Sequence, residues 1–441
     1  MKRNDTHAVR AASFMRATCR ATALALALAA LGCAGADEAP PEGRAADYES
    51  PREGRAADYE SPPKVRAADV LPKAALEGPH HRVEDEVTSD GVALAFKIRS
   101  DFGAFDAPSQ EMAELRIAEV AAIARLEELK SSDIFADALA ASVKKKAETV
   151  AQVIEDPEGT AKGVGTGLKR VFGKGKKAAQ GVSEAAKNDD DGKKAETQPS
   201  TGDKSRELLG VNKAKRQIAK SVGADPYSSN PVLQEELERL ARAAVAGGLT
   251  GNLGVKVPGV DQVASVGSLA WDLPPEDLKA RNEKSLKTMG CDGGTVKTLL
   301  ANAAYSPSLM TGLVEALESL EGLQDRAVLA SLTAGAENEV EARFYRSSVK
   351  LLAAAGSGDQ KLQKAQAYGR APAALAADGT LVVAAAVDLL IWQEGLEEAA
   401  EGPVPEAKDR SLWLTGKLTE RAESELKDRG WAVQQGLPIA P

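Results

Sequence analysis

Two adjacent histidines and the carboxylates that follow them could hold a metal ion. His80 and His81 come shortly before Glu84, Asp85 and Glu86, and imidazole with carboxylate is a common ligand set for zinc. The stretch is polar and precedes a strand pattern, and neighbouring side chains on a strand point to opposite faces of a sheet. We therefore expect a solvated sheet edge here and no metal site.

Cys291, the one of the three cysteines that lies beyond the leader and its end at Cys33, could act as a nucleophile through its thiolate. It lies in the sequence MGCDGG between two helical patterns, with no histidine near it in the sequence. A lone cysteine at such a junction usually serves as a small apolar residue, which is the role we expect. The chain also lacks the G-x-S-x-G and H-E-x-x-H motifs of many hydrolases. An enzyme that uses carboxylates needs neither motif, so this class stays open.

A basic, glycine-rich segment runs from Gly159 to Val182 with the sequence GTAKGVGTGLKRVFGKGKKAAQGV. It does not fit the phosphate-binding loop G-x-x-x-x-G-K, because Leu168 and Arg170 stand where the first glycine is required. On a helical wheel its apolar residues share one side and its cations the other, which is typical of helices that dock on anionic membranes. The alternative is packing on the protein with the cations solvated. These cations are Lys162, Lys169, Arg170, Lys174, Lys176 and Lys177.

The amino terminus has the pattern of an export signal. Five lysine and arginine residues precede the uncharged run ATALALALAALG, which ends at Cys33 and is too short to span a bilayer. We predict that residues 1–32 form a signal peptide. Its removal takes away five positive charges and one negative charge, so the formal net charge falls from −9 to about −13. Such an acidic chain is not expected to bind nucleic acid as its main partner.

The end of this leader, Ala30-Leu31-Gly32-Cys33, resembles the lipobox of bacterial lipoproteins. In that family the cysteine becomes the first residue of the mature protein and carries the lipid, and leucine is usual where Ala30 stands. The resemblance implies an envelope lipoprotein anchored through Cys33. Ala34, in place of aspartate, resembles the enterobacterial pattern for sorting to the outer membrane, where the body would face the periplasm or the cell surface. The alternative is an ordinary secretory signal that happens to contain a cysteine.

The sequence EGRAADYESPR, from Glu42 to Arg52, recurs at once as EGRAADYESPP, ending at Pro63. Each copy contains a glycine, a proline and charges of both signs, and neither copy has an apolar face that could support a helix or a strand. We predict a disordered tether with 11-residue repeats over residues 33–79.

The remaining chain predicts an α+β, helix-dominated fold. Alternation of Val92, Leu94, Phe96 and Ile98 after Asp90-Gly91 predicts a small amino-terminal β-hairpin sheet. The stretch SQEMAELRIAEVAAIARLEEL predicts a helix with Met112, Leu115, Ala122, Leu126 and Leu129 on one side. Further along, apolar patterns that open at Asn230-Pro231 and at Ser306-Pro307 predict a central helical bundle, and a mixed pattern near the carboxyl end predicts a small α/β module. The predicted units are a sheet plus helices at 80–186, a low-complexity linker at 187–206, a helical domain at 207–356 and the α/β module at 357–441.

Two short stretches in this body invite a functional interpretation. Thr415, Gly416 and Lys417 lie where a strand is predicted to meet a helix amino terminus, a place where free backbone donors can hold an anion. Simple caps are commoner there. Trp271 and Asp272 could form part of a site, but a helix entry and a core tryptophan explain them as well, and we favour that account.

Four separated stretches of the chain resemble a group of uncharacterised exported bacterial proteins known only as a domain of unknown function. These stretches are NPVLQEELERLA, WDLPPEDLKARNEKSLKTMG, AENEVEARFY and DLLIW. The resemblance covers roughly Val83 to the carboxyl end, apart from the linker. It implies no activity.

These features favour an envelope lipoprotein that acts as a binding or structural module without a cofactor. Its expected partners are the membrane, through the lipid, and an envelope protein. One alternative is an envelope hydrolase that uses carboxylates, and another is a peripheral membrane-docking protein that acts through residues 159–182. A deep pocket with converging carboxylates would favour the enzyme, whereas an exposed apolar patch would favour the binding module. The sequence leaves the oligomeric state open.

Overall fold

The computed structural model describes residues 59–131, 201–247, 268–356, 361–404 and 407–439. The predictions about the signal peptide, Cys33, the basic segment 159–182 and most of the linker fall outside these ranges. Elements are numbered in chain order. The strands are β1 (Val65–Arg66), β2 (Glu77–Gly78), β3 (His81–Val83), β4 (Glu86–Ser89), β5 (Leu94–Ser100), β6 (Gly103–Ala107), β7 (Leu362–Tyr368), β8 (Ala371–Ala376), β9 (Thr380–Ala385), β10 (Leu389–Leu390), β11 (Asp409–Leu414), β12 (Lys417–Leu418) and β13 (Trp431–Gln434). The helices are α1 (Ala67–Val70), α2 (Lys73–Leu76), α3 (Gln110–Lys130), α4 (Thr201–Val222), α5 (Pro231–Ala246), α6 (Ser268–Asp272), α7 (Pro275–Thr288), α8 (Gly293–Ala301), α9 (Pro307–Ser319), α10 (Ala327–Thr333), α11 (Glu339–Gly356), α12 (Glu394–Glu401) and α13 (Glu420–Asp428).

The amino-terminal sheet is antiparallel and is built around β5. Strand β6 pairs with one edge of β5, while β3 and β4 follow each other along the opposite edge. Leu94, Phe96 and Ile98 are buried on one face of β5, which confirms the predicted alternation. The predicted turn is also present: Asp90 Oδ1 accepts the backbone N–H of Val92 at 2.9 Å, and Gly91 has a φ of +92°, a conformation that favours glycine.

The predicted tether is wrong at its carboxyl end, because residues 59–79 belong to the fold. Strand β1, which follows shortly after the second copy of the repeat, pairs with β4. Ala67 and Leu71 are buried in the core beside it. Tyr59 Oη donates a hydrogen bond of 2.7 Å to the Glu397 carboxylate. These short elements have no periodicity of their own and depend on the surfaces they pair with, so composition alone did not predict them.

Helix α3 crosses the sheet and shares a core with it. Ser109 caps the helix by accepting the Met112 N–H at 3.1 Å, and the predicted apolar positions are buried. These are Met112, Leu115, Ala122, Leu126 and Leu129. Helices α4 and α5 complete this core. Helix α4 begins at Thr201, inside the predicted linker, while Asn230 and Pro231 open α5 as predicted.

A second core is formed by helices α7 to α11 and one face of the carboxy-terminal sheet. In α11, Val349 and Leu352 pack in this core together with Ala374 and Val382 of the sheet. Ser306 caps α9 as predicted, accepting the Leu309 N–H at 3.2 Å.

The carboxy-terminal sheet has the strand order β13-β11-β9-β8-β7. Strands β7, β8 and β9 are antiparallel, whereas β9, β11 and β13 are parallel and are joined through α12 and α13. Leu396 of α12 and Leu426 of α13 pack on the face of the sheet opposite α11. The predicted α+β, helix-dominated fold is thus confirmed. Within the described ranges, none of the helices combines the length and the apolar composition needed to cross a membrane.

Candidate functional site

A cavity of about 470 Å³ lies where three parts of the chain meet. One wall is the first turn of α3, another is a face of α11, and the third is the carboxyl ends of β9 and β11. In open α/β sheets, ligands bind beyond the carboxyl ends of parallel strands. The volume also falls in the range of small-molecule sites. Position and size therefore mark this cavity as the candidate site.

The strand ends are brought together by a glycine. A Cβ on Gly416 would lie 2.0 Å from the backbone oxygen of Asp388, so no other residue fits unless the backbone moves. Beside it, Thr415 Oγ donates to the Val387 carbonyl at 3.0 Å. The predicted helix start at Thr415 to Lys417 is wrong, because β12 intervenes and Thr419 is the cap of α13. Thr415 and Gly416 nevertheless line the cavity.

Helix α11 presents three cations to the cavity. Arg343, Arg346 and Lys350 are spaced i, i+3 and i+7, which places them on one side of a helix. Glu111, in the first turn of α3, accepts hydrogen bonds from Arg343 Nη1 at 3.1 Å, Arg346 Nη2 at 2.7 Å and Ser347 Oγ at 2.8 Å. Burial alone would raise the pKa of Glu111, but the two guanidiniums and the hydroxyl hold it below its usual range. Glu111 is therefore an ionised acceptor that ties α3 to α11.

The two arginines differ in how completely they are bonded. Arg343 donates from Nε and Nη2 to Glu339 at 3.0 and 2.8 Å and from Nη1 to Glu111. Arg346 is equally buried, at 7% exposure, but within the described residues it donates hydrogen bonds from Nη2 alone. Its Nε is buried without a partner, and burial lowers the pKa of the guanidinium. Arg346 thus carries donor capacity that the described residues do not fill.

Asp388 follows β9 and joins the two sheets. Its Oδ2 accepts the backbone N–H groups of Leu94 and Gln110, each at 2.9 Å, and its own N–H donates to the Val92 carbonyl at 3.1 Å. Burial raises the pKa of Asp388 to about 6, although the two N–H donors act in the opposite direction. Among the described residues, no cation forms an ion pair with this carboxylate. Glu111, Arg343, Arg346 and Asp388 are called the cavity cluster below.

The residues singled out from the sequence lie elsewhere. Cys291 is buried between α7 and α8, and burial raises the pKa of its thiol. A raised thiol pKa opposes a nucleophilic role and supports the predicted apolar one. Trp271 is in the core and donates from Nε1 to the Ala224 carbonyl at 2.7 Å, while Asp272 forms an exposed ion pair with Lys220 at 2.7 Å. Trp271 is thus a core residue as predicted. The predicted helix entry at Asp272 is wrong, because Asp272 is the last residue of α6 and the N-cap of α7 is Pro274.

The two histidines make separate contacts at the sheet edge. His80 Nδ1 lies 2.9 Å from Asp101 Oδ2, and His81 Nε2 lies 3.1 Å from the Ala75 carbonyl. Within the part of the chain that the structure describes, no three histidine, cysteine or carboxylate side chains group as metal ligands do.

None of the cavity cluster was singled out from the sequence, although two signals were present. Arg343, Arg346 and Lys350 form a charged stripe at helical spacing in a segment whose other residues include Val349 and Leu352. Asp388 is a lone carboxylate between the apolar runs LVVAAAV and LLIW. Charges inside apolar runs are the sequence signature of buried polar sites.

No protein-family model, curated protein or solved structure matches the chain. The resemblance to exported bacterial proteins therefore stays a prediction. Among the residues whose side chains the structure describes, Val328, at 41% exposure, is the one exposed large hydrophobic side chain. A cavity with charged walls, together with so little exposed apolar surface in these residues, favours a small-molecule site over a protein-docking patch.

Proposed function

We propose that the protein is a lipid-anchored binding protein of the bacterial cell envelope that takes a small molecule into the central cavity. The observation that carries the proposal is the cavity itself, with buried charged side chains at the carboxyl ends of parallel strands. The location rests on the leader and the lipobox-like residues that end at Cys33.

The energetics of the cavity cluster support binding over a purely structural role. Removing an ion from water costs several kcal/mol even after relaxation, and apolar replacements of buried ion pairs are often neutral or stabilising. The fold nevertheless keeps Arg343 and Arg346 buried beside an open space. Charges that add little to stability and line a cavity are best explained by a ligand that they contact.

Filling the cavity tests this function. Ala386 lines it, so Ala386→Phe should occupy part of the space, whereas Ala432→Phe adds the same ring at an exposed position. Protein NMR can detect binding in a survey of small fragments that carry positive, negative or no charge. We expect it to find fragments that bind the wild-type protein and Ala432→Phe but not Ala386→Phe. A wild-type chain without binders, or binders that survive Ala386→Phe, would contradict the proposal.

The anchor has its own test. Replacing Cys33 with alanine should move the protein from the membrane fraction to the soluble fraction, because two acyl signals are needed for stable retention. Cys19→Ala, a change inside the leader, is the matched control and should leave the protein in the membrane fraction. Equal partition of the two variants would rule out lipidation at Cys33.

An envelope hydrolase is the second candidate, and Asp388 is the observation that favours it. A carboxyl group whose pKa is about 6 can give and take protons near neutral pH. Glu111 is occupied by two arginines, so Asp388 would be the acid–base group. Turnover of fluorogenic glycosides or esters by the wild-type chain, abolished in Asp388→Asn, would establish this candidate. Equal rates for both proteins would remove it.

A further inference from the structure

Two side chains of opposite charge line the cavity, and each lacks part of its bonding. Arg346 donates from Nη2 alone, so that among the described residues neither Nη1 nor the buried Nε has a partner. Asp388 accepts two backbone N–H groups on Oδ2 but forms no ion pair with any described cation. Buried charges in folded proteins are normally paired, and each exception calls for a missing partner.

Arg346 and Asp388 do not complete each other. No hydrogen bond or ion pair joins them in the described chain; Glu111 bonds to Arg346 instead. One belongs to helix α11 and the other follows strand β9, so two different walls of the cavity present the two charges. A ligand that satisfies both must carry an anionic and a cationic group at separate positions.

The total charge of the residues that line the cavity also favours a ligand with one anionic and one cationic group. Three cations, Arg343, Arg346 and Lys350, stand against three carboxylates, Glu111, Glu114 and Asp388. A ligand with no net charge preserves this balance, whereas a phosphate dianion would add two negative charges close to carboxylates. Between the charges the lining is apolar and includes Phe344, Leu437 and Ile439, which suits an aliphatic or aromatic substituent.

We propose that the cavity binds a zwitterion, a free amino acid or a short peptide, with its carboxylate on Arg346 and its ammonium group on Asp388. This inference rests on the proposed binding function and names the ligand class. The cavity of about 470 Å³ is large enough for either kind of molecule. The ligand ammonium donates to the Asp388 carboxylate, and the ligand carboxylate accepts from the guanidinium.

The first experiment uses ligand analogues with the unmodified protein. The full mature chain is titrated by calorimetry with the common L-amino acids and with a set of dipeptides. The best ligand is then compared with its N-acetyl derivative, which lacks the ammonium group, and its carboxamide, which lacks the carboxylate. We expect each derivative to bind at least about tenfold more weakly, because each loses one charge-assisted contact.

The second experiment assigns each ligand group to its residue. With Arg346→Gln the ligand and its carboxamide should bind equally, and with Asp388→Asn the ligand and its N-acetyl derivative should bind equally. Arg242→Gln and Asp272→Asn, at exposed ion pairs, are the matched controls and should keep the wild-type pattern. Circular dichroism establishes that each variant is folded.

The outcomes separate the ligand class from the wider function. A chain that binds fragments in the cavity but no amino acid or dipeptide would overturn the zwitterion proposal and leave the binding function standing. Wild-type binding that is unaffected by acetylation or amidation would overturn it as well. Because those comparisons use the wild-type protein, they decide the question even if a variant fails to fold.

Discussion

Helix α3 contributes a glutamate to each of two groups of charged side chains. In one group, called closed, the glutamate oxygens all have hydrogen-bond partners; the other, called open, borders the cavity and has unfilled hydrogen-bonding atoms. Glu119 lies two turns beyond Glu111 and faces the core formed with α5. Glu111 faces α11 and the cavity. Both carboxylates hold arginines, but only Glu111 belongs to a group that borders open space.

The closed network consists of Arg116, Glu119, Ser228 and Asn230. Glu119 Oε2 accepts from Arg116 Nη1 at 2.6 Å and from Asn230 Nδ2 at 2.9 Å, and Oε1 accepts from the Ser228 hydroxyl. Asn230 Oδ1 in turn caps α5 by accepting the Val232 N–H at 3.0 Å. Each oxygen of Glu119 is occupied, and the network fixes where a helix begins. Its role is structural.

The cavity cluster also pairs arginine with glutamate, but its hydrogen bonds are not complete. Arg346 Nε lacks a partner, and Asp388 lacks a cation. The contrast teaches that buried charge alone does not indicate a site. Charge that remains incomplete beside a cavity does, because a fully bonded network has no capacity left for a ligand. Three changes can break or sharpen this comparison.

The largest effect is expected in the closed network. Glu119→Ala leaves the buried Arg116 guanidinium without its carboxylate, and breaking a buried pair from one side costs about 3–5 kcal/mol in the free energy of unfolding. Urea denaturation measures the loss. Glu114→Ala, at an exposed position of the same helix, is the control and should change the value by less than about 0.5 kcal/mol. A loss below about 1 kcal/mol for Glu119→Ala would show that the network is not a structural unit.

The second effect concerns Asp388 and pH. Because its pKa rises from 3.8 to about 6 on folding, the stability it contributes is fully present below pH 3.8 and is lost as pH rises through 6. Asp388→Asn keeps an acceptor for the two N–H groups and cannot ionise. As the pH rises from 4 to 7, the free energy of unfolding of the variant should therefore increase by about 2–3 kcal/mol relative to that of the wild type.

Denaturation at a series of pH values checks this expectation. Asp272→Asn, at an exposed ion pair, should show no such dependence. If the difference between Asp388→Asn and wild type were the same at pH 4 and pH 7, the carboxylate would not be held in the environment described here.

The parts of the fold that the sequence predicted are those with a local signal. The alternation in β5, the Asn230 and Ser306 caps and the Asp90-Gly91 turn each depend on residues close together in the chain. Strand β1 was missed because it is held by β4 and not by its own pattern.

The site was missed for a related reason. Glu111, Arg346 and Asp388 come from three distant segments, and the cavity exists only where those segments meet. Gly416 has no helical or strand periodicity to mark it, yet its lack of a Cβ allows two loops to touch. The sequence shows the charged stripe of α11, but it does not show which residues of the other segments face that stripe. Sites of this kind follow from tertiary packing and have no short motif.

The smallest effect is expected at Arg346, and it separates open from closed charge most directly. Arg346→Met removes a guanidinium that is buried with incomplete bonding, while Glu111 keeps Arg343 and Ser347 as donors. The desolvation relieved and the hydrogen bond lost should nearly cancel, so the free energy of unfolding should change by less than about 1 kcal/mol in either direction. Arg116→Met, the same change in the closed network, should cost clearly more, because Arg116 also donates to Ser229 Oγ at 2.8 Å. Urea denaturation of both variants measures the difference. A loss above about 2 kcal/mol for Arg346→Met would mean that the cavity cluster is as structural as the closed network, and the distinction between them would then fail.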